Sequence, residues 1–119
     1  MNWLPLESIS QIDEIITQSE HSETHAVLIF KHSTICSIST MALSRLERKW
    51  DVHTDSIPTY FLDLRKFRDV SNYLEEKFNV KHESPQVLLI KHGKCVFDTS
   101  HNLIAADVIK ESAESAHKA

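Results

Sequence analysis

The chain has 119 residues, enough for one domain with one modest core. Its 41% hydrophobic and 25% charged residues are ordinary for a globular protein, and its longest apolar run, Ala26–Phe30, is far too short to span a membrane. Seventeen acidic against 13 basic residues leave a net charge of -4, which argues against a nucleic-acid or anionic-membrane partner.

The start of the chain, MNWLPLES, lacks the basic segment and apolar stretch of a secretory signal, so a cytoplasmic protein is expected. In a reducing cytosol Cys36 and Cys95 read as free thiols, catalytic or inert, rather than as a structural disulfide. A lone glycine, Gly93, excludes a glycine-rich phosphate loop. Eight histidines do not suggest a metal centre. The pairs His21/His25 and His32/Cys36 have i, i+4 spacing, but neither falls within one predicted helix, and no second zinc-type pair accompanies them.

In chain order, Trp3, Leu4 and Leu6 form a short apolar entry interrupted by Pro5, suited to an edge strand. Ser8 and Gln11 have the spacing of a capping box, and Ile9, Ile12, Ile15 and Ile16 follow at helical spacing, which predicts a helix to about Gln18. Ala26–Phe30 is a buried-type strand. After a polar turn, Ile38, Met41, Ala42 and Leu46 repeat with helical period, predicting a helix from Cys36 to about Trp50. Thr59–Leu64 predicts a strand. Asp69 reads as the N-cap of a helix carrying Val70, Tyr73, Leu74 and Phe78 on one face. Pro85 precedes a strand at Gln86–Ile90. His92-Gly93-Lys94 is a tight turn into a strand at Cys95–Asp98, so these two strands form a hairpin. A last helix begins near Ala105, with Val108, Ile109, Ser112, Ala113 and Ala116 on or near one face.

Strands alternating with helices, then a hairpin and a helix, predict an α/β fold: a mixed central sheet of four to five strands with helices on both faces, formed by residues 1–119 as one domain. Cys36 stands at the joint between the first core strand and its helix. The first amides of a helix have no partner within it, and the helix dipole is positive there. A cysteine so placed is held toward its reactive thiolate form. The other reading is a buried structural cysteine.

This element order, with Cys36 at the first strand-to-helix joint and Pro85 before the next-to-last strand, resembles the thioredoxin fold over roughly residues 3–116. Within it, Phe30-Lys31-His32-Ser33-Thr34-Ile35-Cys36-Ser37-Ile38-Ser39, with Met41-Ala42 and Ser100-His101, resembles the bacillithiol-linked monothiol bacilliredoxins of the YtxJ-like group. Ile35 stands where a basic residue is more usual, and Ser37 where a proline is.

The resemblance implies a thiol-disulfide oxidoreductase with Cys36 as its single nucleophile. Ser39 stands where a dithiol enzyme has its second cysteine, and its hydroxyl can hydrogen-bond the thiolate or serve as an ordinary first-turn serine. Thr34, Ser37 and His32 flank the thiol. A cation on His32 or Lys31 would stabilise the thiolate, or both could be a solvated strand end. Ser84–Pro85 would be a cis bond lining the client side of the site; from spacing alone, a trans proline opening a strand is the better reading. Cys95 reads as a sheet residue or a distant resolving thiol. The implied partners are client proteins with S-thiolated cysteines and a low-molecular-weight thiol, with bacillithiol as co-substrate and no bound cofactor. Two other readings are a non-catalytic thioredoxin-fold adaptor and a glutaredoxin-like iron–sulfur carrier, although Cys36-Ser37-Ile38-Ser39 lacks the glycine and aromatic of the latter.

Overall fold

The computed structural model describes residues 1–119. Five strands and four helices follow one another as β1 (Trp3–Pro5), α1 (Ser10–Ser19), β2 (Val27–His32), α2 (Ser37–Lys49), β3 (Thr59–Asp63), α3 (Arg68–Phe78), β4 (Gln86–Lys91), β5 (Lys94–Ser100) and α4 (Ala106–Lys118). A 3-10 turn at His101–Leu103 joins β5 to α4. The strands form one sheet in the order β1-β3-β2-β4-β5. β1 and β2 run parallel to β3, β4 runs antiparallel to β2, and β5 antiparallel to β4. This is the mixed sheet expected from the element order, with the short Pro5-containing strand on its edge.

Alternation along β2 divides the core in two. Val27 and Ile29 point to one face, where Ile12 and Ile15 of α1 and Val70, Leu74 and Phe78 of α3 cover them. Leu28 and Phe30 point to the other, under Ala42 and Leu46 of α2 and Ile109 and Ala113 of α4. Full burial of each large apolar side chain contributes roughly 1.5–3 kcal/mol. β2 is buried along its whole length, including Lys31 and His32, so their place at its end is not a solvated one.

Three local expectations are corrected. At α1, the Gln11 side chain accepts from the Ser8 amide at 3.0 Å, but the Gln11 amide donates to the Ser8 carbonyl rather than its hydroxyl, so half of the capping box forms. α3 starts at Arg68 with Phe67 at the cap position and no side-chain cap. The Asp63 carbonyl takes the Phe67 amide at 2.9 Å, which closes the turn earlier than Asp69 could. Asp69 instead lies in the first turn, where its charge suits the dipole. In α4, Ala106, Ile109 and Ala113 are the buried residues, and Val108 is 40% exposed.

Both residues of the hairpin loop, His92 and Gly93, have positive φ, at 53° and 72°. Lys94 pairs with Lys91, so the loop is a two-residue one that twists with the strands. Its Gly93 amide donates to Ser19 Oγ at 3.0 Å, pinning the hairpin to the end of α1.

Candidate active site

β2 ends at His32, and the chain turns through Ser33–Ile35 before α2 begins. The Cys36 amide donates to the Ser33 carbonyl at 3.2 Å and closes that turn. Cys36 is the N-cap of α2, with extended backbone (φ -100°, ψ 116°), and α2 itself starts at Ser37. Its carbonyl takes the Thr40 amide at 3.1 Å, the first helical bond. The thiol is half-buried at the helix start, beside amides that have no intrahelical partner. Thr34 and Ser37 are exposed on either side of it.

Ser39 is fully buried and its hydroxyl is already engaged. The Ser33 amide donates to Ser39 Oγ at 3.1 Å, and His32 Nδ1 lies 2.7 Å from the same oxygen. Burial pushes the His32 pKa below its usual value, against the pull of Asp63 and Glu47, so His32 is neutral near pH 7. The neutral ring and the hydroxyl share one hydrogen bond between Nδ1 and Oγ. Two expectations change as a result. Ser39 clamps the end of β2 to the first turn of α2 instead of donating to the thiol, and His32 supplies no cation. Lys31 is turned to the opposite sheet face, where its Nζ meets His82 Nδ1 at 2.7 Å and Gln86 Oε1 at 3.3 Å.

The Ser84–Pro85 peptide is cis. Lys31 pairs with Gln86 across β2 and β4, so Pro85 comes level with His32 on the neighbouring strand. The Pro85 carbonyl accepts from the His101 amide at 3.0 Å, which brings the β5–α4 connection to the same end of the sheet. Ser84 Oγ is buried without a partner. His101 has a φ of 56°, and its Nε2 lies 3.7 Å from Glu83.

A groove of about 260 Å³ runs beside the start of α2, lined by Ile38, Met41, Arg45, His101 and Asn102. Arg45 closes one side by donating from Nε and Nη2 to the Ile104 carbonyl at 3.2 and 3.0 Å. Of the helical-period residues Ile38, Met41, Ala42 and Leu46, the first two are 52% and 65% exposed. The buried stripe of α2 is Ser39, Ala42 and Leu46, and Ile38, Met41 and Arg45 form the next stripe around the helix. Ile35 and Leu103, both more than 70% exposed, extend the apolar surface. Among these residues only the helical spacing of Ile38, Met41 and Arg45 was a signal, and it did not say which way the stripe faces.

Cys95 lies far from this end. It pairs with Ile90, which pairs with Val27 at the opposite end of β2. Five strand residues separate that level from His32, roughly 16 Å, against a Cα separation of about 4.4–6.8 Å in a disulfide. Its Sγ donates to the Phe97 carbonyl at 3.3 Å. Burial pushes its thiol up to about 11, with Asp98 adding to the effect, so Cys95 stays protonated. It is a sheet residue and not a resolving thiol. The arrangement therefore offers one sulfur at the strand-to-helix joint, which can open a disulfide but needs an outside thiol to be released.

The sequence model of a protein family described as monothiol bacilliredoxin BrxC matches residues 4–109. A solved chain described as having a thioredoxin fold, and as a candidate oxidoreductase, is 32% identical over 92% of this chain and 91% of its own, with a TM-score of 0.74. Thioredoxin from Malassezia sympodialis is 13% identical over 98% and 91% of the two chains, with a TM-score of 0.71. Thioredoxin from Trypanosoma brucei brucei, also 13% identical, covers 99% and 93% with a TM-score of 0.69. These two share the fold alone.

Proposed function

The chain belongs to the monothiol bacilliredoxin family, a thioredoxin-fold group of redox thiol proteins, and on that premise we propose that Cys36 takes bacillithiol from mixed disulfides of client proteins. The Cys36 thiolate attacks the bacillithiol sulfur of the client mixed disulfide. The S–S bond breaks, and the client cysteine leaves as a thiolate that picks up a proton. Cys36 now carries bacillithiol in a new disulfide. A second bacillithiol thiolate attacks the sulfur of the bound one, forms bacillithiol disulfide and returns Cys36 as thiolate.

One observation carries this reading. The position three residues after Cys36 is a hydroxyl bonded to His32 and Ser33, and the other cysteine stands at the far end of the sheet. No internal thiol can compete with the outside one. The exposed apolar side chains of Ile35, Ile38, Met41 and Leu103 support a protein as client, because a small polar thiol has no use for so much apolar surface.

Intact-mass spectrometry after exposure to bacillithiol disulfide tests the assignment. One adduct is expected on the wild type and on Cys95→Ser, and none on Cys36→Ser. An adduct retained in full by Cys36→Ser overturns it.

A further inference from the structure

Lys31 is the least expected residue of the core. It is 1% exposed, inside a strand whose other residues are apolar up to His32. A buried ammonium is costly unless its protons are taken up by acceptors. Two are in reach. His82 Nδ1 lies at 2.7 Å and Gln86 Oε1 at 3.3 Å. An ammonium can only donate, so His82 Nδ1 is an acceptor and its ring is neutral.

Both acceptors hold the same stretch of chain. Gln86 Oε1 also accepts from the Glu83 amide at 3.3 Å, and Gln86 Nε2 donates to the Lys81 carbonyl at 3.0 Å. The His82 amide donates to Glu75 of α3 at 2.6 Å. Residues 81–83 are thus tied to β2, β4 and α3 by side chains, and the next two residues are Ser84 and the cis Pro85. The Pro85 carbonyl in turn takes the His101 amide beside the groove.

We propose that Lys31 is a positioning residue for the client side of the site: through His82 and Gln86 its buried amine holds the 81–84 segment, and with it Pro85, in place to receive the client chain. The client role of Pro85 rests on the function proposed above; the brace itself does not. Lys31 does not touch the reacting sulfur, since it points to the other face of the sheet.

The charges facing this pair are consistent with the assignment. Glu75 of α3 and Glu83 of the segment itself support the Lys31 ammonium and also favour a charge on His82, which Lys31 and Arg68 of α3 oppose. Burial brings Lys31 down to about 8, so it remains mostly charged at neutral pH. Burial first, and then Lys31, hold His82 below its usual value, so it remains an acceptor there. Acidification charges the imidazole, turns its Nδ1 into a donor and sets two cations against each other.

Amide hydrogen exchange and steady-state kinetics with a bacillithiolated client protein test the brace, using Lys31→Met, His82→Ala and His82→Asn. His82 lies on an exposed segment, so its variants keep the core even if Lys31→Met fails to fold. Asparagine keeps an acceptor near the Nδ1 position and alanine does not. Lys31→Met and His82→Ala are expected to speed exchange at residues 82–84 and at His101 by about tenfold, the equivalent of one hydrogen bond to a charged group. They are expected to raise KM for the client with kcat little changed, and His82→Asn is expected to stay near wild type in both. In the wild type, the same amides are expected to lose protection relative to their intrinsic rates as acidification charges His82, and in His82→Asn they are not. Unchanged exchange in His82→Ala, or His82→Asn as impaired as His82→Ala, overturns the proposal. A wild type that leaves bacillithiolated clients untouched refutes the proposed function instead, and the exchange data still decide the brace.

Discussion

Ser39 determines the surroundings of Cys36. Its oxygen takes the Ser33 amide and it shares a hydrogen bond with His32, so the residue one turn after Cys36 fastens the strand to the helix. Ser39→Ala leaves a buried amide and a buried ring nitrogen without partners, at an expected cost of about 1–3 kcal/mol. The measurement is the urea midpoint, and an unchanged midpoint contradicts the clamp. Ser39→Cys is expected to lose the same stability, because a thiol is a weak donor and acceptor. Cys36 and Ser39 were legible as a motif because the strand-turn-helix order places any residue there at a helix start. The partner of Ser39 was not legible, since His32 reaches it only after α2 packs on the face of β2 that His32 shares with Phe30.

Among the elements, α2 carries two functions on neighbouring stripes. Ala42 and Leu46 fill the core, while Ile38 and Met41 stand open beside the groove. Hydrophobic period alone merges the two, because adjacent stripes on a helix differ by about 100° and both read as apolar. The strands were easier, since β2 and β4 are short apolar runs that each end at a lysine. The start of α3 was harder, because the turn after β3 closes on the Asp63 backbone, which side-chain capping rules do not register. Met41→Asp tests the outer stripe. It is expected to raise KM for a bacillithiolated client by roughly tenfold, in line with loss of one interface anchor, and to leave thermal stability unchanged because Met41 is 65% exposed. A drop in melting temperature without a change in KM contradicts the assignment.

For the whole molecule, pH is the informative variable. Burial holds His25, His32 and His82 below their usual pKa. Between each lowered value and about 6.5 the unfolded chain binds more protons than the folded one, so stability rises with pH there. The stability from these three groups is complete above about pH 6.5 and is lost as the pH falls below it. A urea midpoint that falls between pH 7.5 and pH 5.5, and falls less in His82→Asn, is the expected result; a flat midpoint contradicts it. The mixed sheet with helices on both faces followed from the alternation of elements, whereas the strand order and the placement of Cys95 needed the pairing and register of the strands. That register leaves Cys36 as the one thiol at its end of the sheet. The most direct test mixes a bacillithiolated client with one equivalent of protein and stops the reaction with acid before added thiol can act. The expected outcome is a client lighter by one bacillithiol and a protein heavier by one, with the adduct mapped to Cys36. A disulfide between client and protein as the accumulating product, or transfer at the same rate by Cys36→Ser, contradicts the one-cysteine mechanism.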